Sequence, residues 1–389
     1  MTDHPLSRRR LLAAGGTLAG LTVLGGCTTR ATPSTGRDVG PGSPEVAAAE
    51  ARRRTGRPRV VAAALTAVAS EVDLGGPVVR TWTYGGVLPG RLLRARAGDV
   101  LRVTVHNGLP ADTSVHWHGI ALRNDMDGVP GITQQPIRPG TAMTYDFAVP
   151  DPGTYWLHPH VGTQLDRGLY APLIIDDPAE PGAYDAEFVV VLDDWLDGTG
   201  RDPDQVLAGL LSMSGMGGGR MPDIGGSMPG MPYSAALGGD AGDVTYPHYL
   251  INGRIPAAPV TLRARPRQKA RLRIINAAAD TAFRVALGGH RLTVTHTDGF
   301  PVRPVTVDAL LLGMGERYDA TVTLADGAFP LIAVAEGKDA QALAVVRTGT
   351  GPAPTADSHP TELDRRLLQP DDLHGHEAGQ PPVRGRQPP

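Results

Sequence analysis

Two copies of one unit can be recognised along this chain of 389 residues, and the repeat constrains the fold more than any other feature of the sequence. The segment LRAR at residues 93–96 recurs at residues 262–265, an offset of 169, and Asn107 meets Asn276 at the same offset. In the first copy Leu101, Val103 and Val105 alternate with polar residues, which is typical of a half-buried strand. The sequence therefore predicts two tandem domains of one fold.

Turn-forming residues indicate which fold class this is. The chain contains 50 glycines and 36 prolines, more than a fifth of its residues, and long helical patterns are scarce. Hydrophobic residues make up 41% and charged residues 20%, which is enough apolar material for a packed core. We therefore predict an all-β architecture of two tandem β-sandwiches, at residues 59–178 and 179–350.

The N-terminal segment resembles an export signal. Arg8 and Arg9 precede a weakly apolar stretch that ends at Gly26, as in a twin-arginine signal. A short membrane anchor is the alternative, although this stretch is short for a bilayer core of about 30 Å. Cys27 ends a lipobox-like segment, so residues 1–27 predict export by the twin-arginine route and a lipid anchor at the outer face of the cytoplasmic membrane or cell envelope. Residues 28–58 are expected to be a flexible linker, and residues 351–389 a disordered tail.

Two pairs of histidines have the form His-X-His, at residues 116–118 and 158–160. Residues i and i+2 of a strand point to the same face, so four imidazoles can converge. Imidazole suits copper, zinc, iron or nickel, and the set does not choose among these metals. Polar histidines on a solvated strand are the alternative, but at the matched positions of the second copy all four are aliphatic. The candidate ligands are His116, His118, His158 and His160, and the matched residues are Val285, Leu287, Ile332 and Val334.

Five of the nine methionines fall within residues 213–231, among Gly, Ser and Pro. Thioethers are soft ligands that suit Cu(I), and no apolar period places them on a helix face. Copper capture is one interpretation of this insert, and a mobile low-complexity loop is the other. The methionines are Met213, Met216, Met221, Met228 and Met231.

Other polar residues give weaker indications of a functional role. Asp125 and Asp127 fit either an acid–base role or a loop role, since a Gly-Val-Pro turn follows. A third His-X-His, at residues 374–376, has no strand pattern around it and indicates adventitious metal binding. His290 and His296 lie beside apolar residues in the second copy and are expected to be structural.

Several motifs resemble one family closely. The residues 116–119 (HWHG), 124–130 (NDMDGVP), 133–137 (TQQPI) and 153–160 (GTYWLHPH) are similar to the first domain of three-domain multicopper oxidases. Residues 249–254 (YLINGR) and 295–299 (THTDG) are similar to the second domain of these laccase-like and cuprous-oxidase-like enzymes. The resemblance covers roughly residues 60–350.

The resemblance implies two cupredoxin-like Greek-key sandwiches with copper as the cofactor. By motif position His116 resembles a type 2 copper ligand, and His118, His158 and His160 resemble type 3 ligands. The implied activity is oxidation of Cu(I) or phenolic substrates, with O2 reduced to water at a trinuclear cluster. Methionine-rich inserts also occur in the cuprous-oxidase branch.

The chain departs from this family in one respect. The family's third domain supplies four more cluster histidines and the cysteine thiolate of the type 1 copper, whereas the single cysteine here is Cys27. We therefore expect a chain truncated by a frameshift or early stop near residues 350–370 and inactive alone. A separately encoded third domain is its candidate partner. The alternatives are a natural short form, a non-catalytic copper-sequestering surface lipoprotein, and a decayed gene product. The formal net charge of −3 argues against a nucleic-acid partner.

Overall fold

Nineteen strands in four sheets are the main elements of the part of the chain that the structure, a computed structural model, describes: residues 39–54, 57–180, 184–216 and 232–375. From Pro41 onward these residues belong to one compact unit. The predicted all-β class is confirmed, since two helices of appreciable length accompany these strands within the described ranges.

Eight strands form the first sandwich. One sheet has the order β2-β1-β4-β6 and the other the order β3-β8-β7-β5, and their inner faces enclose a core that includes Trp117, Tyr145 and Phe147. Strands β1 and β4 are parallel, as are β3 and β8, so the chain crosses repeatedly between the two sheets. The strands are β1 Val60–Asp73, β2 Val78–Tyr84, β3 Leu93–Arg96, β4 Val100–Asn107, β5 His116–His118, β6 Ala142–Ala148, β7 Gly153–His158 and β8 Ala171–Asp176.

The second sandwich repeats this pattern with eleven strands. Its sheets have the orders β10-β9-β12-β17-β14-β15 and β11-β19-β18-β13-β16, and β9 with β12 and β11 with β19 form the corresponding parallel pairs. The strands are β9 Ala186–Trp195, β10 His248–Ile251, β11 Val260–Arg263, β12 Lys269–Asn276, β13 Phe283–Leu287, β14 Leu292–Thr297, β15 Phe300–Val307, β16 Leu310–Leu312, β17 Arg317–Thr323, β18 Ala328–Ala335 and β19 Ala340–Arg347.

The two asparagines of the sequence repeat occupy equivalent places. Asn107 ends β4 and accepts a hydrogen bond at Oδ1 from the amide of Leu109, at 2.9 Å. Asn276 ends β12 and accepts from the amide of Ala278 in the same way, at 3.0 Å. The internal repeat is therefore a repeat of structure as well as of sequence.

Strand pairing locates the positions of the second sandwich that match the histidines. His116 on β5 lies opposite His158 on β7, and in the second sandwich Ala286 lies opposite Ile332. The alignment of His158 with Ile332 agrees with this pairing, because each lies five residues after a matched glycine, Gly153 at the start of β7 and Gly327 directly before β18. His116 therefore corresponds to Ala286.

The sequence-based match of His116 and His118 to Val285 and Leu287 is thus wrong by one residue. Val285 and Leu287 point into the core of their sandwich, as Trp117 does in the first, whereas the histidines lie on the opposite face. Because alternate residues of a strand face opposite sides, a slip of one residue exchanges the two faces. A constant offset could not detect the insertion that caused the slip.

Part of the predicted flexible linker is helical. Helix α1 (Pro44–Arg53) begins at Ser43, whose hydroxyl accepts a hydrogen bond from the amide of Val46 at 3.4 Å. Glu50 of this helix is buried and accepts from the amide of Ala148 on the edge strand β6. The structure contradicts the linker prediction for this stretch, because the helix satisfies a polar group of the sheet edge.

Part of the predicted disordered tail is also ordered. Short 3-10 turns occur at Thr361–Asp364 and Pro370–Asp372, and Leu367 forms a bridge with Ala309. Leu363 is buried in a cluster with Ala286 and Ile332, so this segment covers the face of the second sandwich that corresponds to the histidine face of the first. The tail prediction is therefore wrong up to residue 375, and residues 376–389 lie outside the described residues.

A second helix, α2 (Pro203–Met216), lies in the connection between β9 and β10. Val206 and Leu210 of this helix pack against the core of the second sandwich. Among the residues that the structure describes, neither helix has the length and apolarity that crossing a bilayer requires.

Buried charges join the two sandwiches. Asp319 on β17 accepts hydrogen bonds from Arg271 at 2.5 Å and from Arg273 at 3.1 Å, and all three side chains are buried. Thr154 on β7 of the first sandwich donates to Asp319 at 2.6 Å. Arg273 also binds Glu187 on β9, at 2.7 Å. These groups fix β7 against the second sandwich.

Candidate metal centre

The four candidate ligands come from two adjacent antiparallel strands. His116 and His118 lie on β5, and His158 is the last residue of β7, directly opposite His116. Trp117 between the first pair points into the core, so the two histidines share the other face, as their spacing predicts. His160 follows β7, and its amide donates to the hydroxyl of Ser114 at 3.1 Å.

The four imidazoles converge. One nitrogen from each of His116, His118 and His158 lies within 4.8 Å of the others. His160 belongs to the same cluster, because its ring centre lies 4.6 Å from that of His116 and 5.2 Å from that of His158. We call these four residues the histidine quartet.

Hydrogen bonds assign the ligand atoms of two histidines. The Nδ1 atom of His116 lies 2.8 Å from the carbonyl oxygen of Asp127, and Nδ1 of His158 lies 3.1 Å from that of Pro159. A carbonyl only accepts, so each Nδ1 carries the proton and donates, and each Nε2 keeps a lone pair for a metal ion. His118 turns its Nδ1 toward Nε2 of His158, at 3.1 Å.

The loop that follows β5 explains the role of Asp127. Its carbonyl orients His116, and Gly128 has a φ of +84° where its Cα approaches the carbonyl of Val115 too closely for any side chain. Asp125 forms an ion pair with Arg123 at 2.7 Å. These contacts favour the loop role over an acid–base role for both aspartates.

Burial keeps three of the four imidazoles in the form that binds metal. Loss of solvent, followed by the charge of Arg317 and the neighbouring histidines, lowers the pKa of His118 to about 3. Loss of solvent and His118 lower the pKa of His158 to about 3 as well, and burial also lowers the pKa of His160. Unprotonated imidazole is the form that ligates a metal, so at neutral pH these residues need lose no proton to bind one.

A tryptophan that the sequence reading overlooked orders two of the rings. Trp156 stacks on His118 at 4.9 Å and on His158 at 4.3 Å between ring centres, and it is 2% exposed. Its other neighbours include Val191 and Ile275 of the second sandwich. The signal was present in the sequence, since Trp156 precedes His158 by two residues and so shares its face of β7.

The donor set fits copper. Four imidazoles match a metal that favours nitrogen ligands. The backbone carbonyls that orient the Nδ1–H groups of His116 and His158 are the outer partners that such ligands require.

The other candidate residues lie apart or outside the described residues. Met213 and Met216 belong to the last turn of α2, so the expectation of a loop is wrong for them. Met221, Met228, Met231, Cys27 and His376 lie outside the described residues. His290 is structural, as predicted, because its Nδ1 donates to the carbonyl of Gly288 at 2.8 Å and its Nε2 accepts from the amide of Ala325 at 3.0 Å.

Known proteins resemble the chain along both sandwiches. Models of the multicopper oxidase family match residues 67–180 and 187–351. Multicopper oxidase MmcO from Mycobacterium tuberculosis is 52% identical over 367 residues, which cover 93% of this chain and 70% of MmcO. Copper resistance protein A from Escherichia coli is 36% identical over 307 residues, which cover 74% of this chain and 50% of the relative. The chain thus spans about half the length of that copper resistance protein.

Solved structures agree with these matches. A multi-copper oxidase from Pseudomonas thermotolerans superposes with a TM-score of 0.59 at 29% identity, covering 78% of this chain and 67% of that one. The laccase from Botrytis aclada superposes with a TM-score of 0.64 at 28% identity, covering 79% and 56%. These neighbours confirm the cupredoxin-like sandwiches, and copper is the cofactor that the family implies. Since family models match both sandwiches and MmcO shares about half of the aligned residues, the chain belongs to the multicopper oxidase family.

Proposed function

We propose that the histidine quartet is the first sandwich's contribution to a trinuclear copper centre, in a protein that oxidises Cu(I) or phenolic reductants and reduces O2 to water. The observation that carries this proposal is the convergence of three imidazole nitrogens within 4.8 Å, with the Nε2 atoms of His116 and His158 carrying no proton. Relatives named copper resistance protein A and laccase support the class of reductant.

Within this proposal each histidine has a defined task. His116 takes the place of a type 2 ligand, and His118, His158 and His160 take those of type 3 ligands. Bound copper supplies one-electron and O2 chemistry. The protein orients His116 through the carbonyl of Asp127, and His118 and His158 through their stacks on Trp156. We propose that the remaining ligands, including the type 1 thiolate, come from a domain beyond the two sandwiches.

Replacing His158 with alanine tests the centre. We expect the tightest Cu(II)-binding step of the full chain to weaken by more than about 100-fold, since even loss of an outer-shell partner costs about 10- to 100-fold. Titration of the metal-free protein with Cu(II) against a competing chelator gives the affinity.

The matched control is His359→Ala. His359 is exposed and pairs with Asp364 on the surface, so its loss should leave the tight step unchanged. If the two variants bind Cu(II) equally well, the quartet is not the copper site.

A second function, copper sequestration without catalysis, is favoured by the five methionines among residues 213–231. In this alternative the thioethers capture Cu(I) at the cell surface.

The proposed location at the cell surface depends on the export signal with Arg8 and Arg9 and on lipidation of Cys27. Fractionation of a Cys27→Ala variant tests the anchor, because one lipidated cysteine would supply it. Retention of that variant in the membrane fraction argues against the anchor.

Replacing all five methionines with leucine separates the two functions. Leucine keeps the apolar volume and removes the sulfur, so Cu(I) uptake should fall more than in the double variant His118→Ala, His160→Ala. That double variant should chiefly lose Cu(II), which prefers imidazole nitrogen. Titration with each oxidation state decides the matter. If the histidine changes abolish Cu(I) binding and the leucine changes have no effect, the methionine segment takes no part in copper capture.

A further inference from the structure

The edge of the His118 ring that points away from the quartet rests on the second sandwich. Gly315, in the turn before β17, has a φ of +81°. A Cβ at this position would lie 2.8 Å from Cε1 of His118 and 3.1 Å from its Nε2, which is closer than a side-chain carbon can approach without displacing the ring. The imidazole therefore packs against bare backbone contributed by the other sandwich.

Arg317 locks this turn to the first sandwich. It is 4% exposed, and its Nη1 donates to the carbonyl of Gly315 at 3.0 Å while its Nε donates to the carbonyl of Thr154 on β7 at 3.1 Å. The guanidinium also fills the space beside Gly119, the residue directly after His118, where any side chain would collide with it. One side chain thus joins the turn, the strand that carries His158, and the end of the strand that carries His118.

The ring of His118 is held on its remaining sides as well. Trp156 stacks on its face with an angle of 28° between the planes, and its Nδ1 edge lies 3.1 Å from Nε2 of His158. With Gly315 against its Cε1–Nε2 edge as well, the ring is confined between the turn, Trp156 and His158.

From these contacts we infer that Gly315 and Arg317 of the second sandwich are positioning residues for His118, which hold its imidazole with Nδ1 directed at the quartet. The inference rests on the proposed function only for its consequence, which is copper affinity. It assigns to the sandwich without the quartet a direct part in building the metal centre.

The internal repeat supplies a matched control. Gly140 precedes β6 as Gly315 precedes β17, and its amide donates to the carbonyl of Asn107 at 2.8 Å, as the amide of Gly315 donates to that of Asn276 at 2.9 Å. Gly140 has a similar φ of +74°, but a Cβ there would meet no atom within 4 Å. Alanine at either position therefore carries a similar backbone strain, and only Gly315→Ala adds a close contact with the ring of His118.

The test compares Gly315→Ala and Gly140→Ala in the full chain. In the metal-free protein we expect the ring 15N resonances of His118 to shift in Gly315→Ala and to stay unchanged in Gly140→Ala. On titration with Cu(II), Gly315→Ala should bind about 10- to 100-fold more weakly, the effect typical of outer-shell partners. The electron paramagnetic resonance spectrum of bound Cu(II) should show one nitrogen ligand fewer.

Arg317→Lys provides a second route if Gly315→Ala does not fold. Lysine keeps the charge but lacks the fork that spans Gly315 and Thr154, so we expect the same 15N shift and weaker Cu(II) binding. Unchanged His118 resonances in Gly315→Ala, or in Arg317→Lys where the first variant does not fold, would overturn the inference. A different outcome is that Gly315→Ala shifts the His118 resonances while the wild-type chain binds no Cu(II) tightly. That outcome would refute the proposed copper centre and leave the positioning role standing.

Discussion

Replacing Asp319 with alanine is expected to lower the free energy of unfolding by about 3–5 kcal/mol, the cost typical of breaking a buried ion pair. Asp319 is 1% exposed and accepts from Arg271, Arg273 and Thr154. The arginines would keep Glu180 and Glu187 as partners, but the charge and hydrogen bonds at the junction of the sandwiches would be lost. Denaturant titration followed by circular dichroism and tryptophan fluorescence measures the change.

Asp146→Ala is the matched control for this prediction. Asp146 lies on β6 and pairs with Arg102 on the neighbouring strand at 2.6 Å, but both side chains are substantially exposed. Surface pairs of this kind contribute about 0–1 kcal/mol, so stability should hardly change. Equal losses in the two variants would mean that the network at the junction adds no more than an ordinary surface pair.

The polypeptide of this sequence, loaded with copper, is expected to show no blue colour and no oxidase turnover with phenolic reductants. A blue copper site requires a cysteine thiolate with two histidines, and the one cysteine in the sequence, Cys27, lies in the predicted export signal. Metal analysis, a visible spectrum and an oxygen-consumption assay on the same sample test this.

Turnover at an ordinary enzyme rate, about 1–1,000 per second, would contradict that expectation. It would show that electrons reach O2 without a thiolate-ligated copper. Absence of both colour and turnover, together with copper bound in a form that depends on His158, is the expected result.

Local patterns predicted much of the fold and the core of the site. The alternation around Val103 and the repeat of Asn107 at Asn276 were sufficient for two β-sandwiches, because strand period and turn composition are properties of short segments. The His-X-His spacing was sufficient to predict that His116 and His118 share a face, because that follows from the geometry of any extended strand.

Other features of the structure could not be predicted from the sequence, or were predicted wrongly, for identifiable physical reasons. Helix α1 was overlooked because its stretch has no apolar period, although Ser43 followed by Pro44 and Glu45 is a helix start. The match of His116 to Val285 failed because one inserted residue reverses the faces of a strand. Burial of Leu363 depends on a distant surface of the second sandwich.

The sequence by itself determined the fold class, the repeat, the pairing of histidines on two strands, and the presence of a single cysteine. These are periods, spacings and counts, and they do not depend on which strand lies beside which. Only the tertiary structure decided that the two pairs converge, that Trp156 stacks on two of the rings, and that Gly315 and Arg317 of the other sandwich support His118. His118 and Gly315, for example, are more than 150 positions apart in the sequence. Chain folding rather than local pattern brings such residues together.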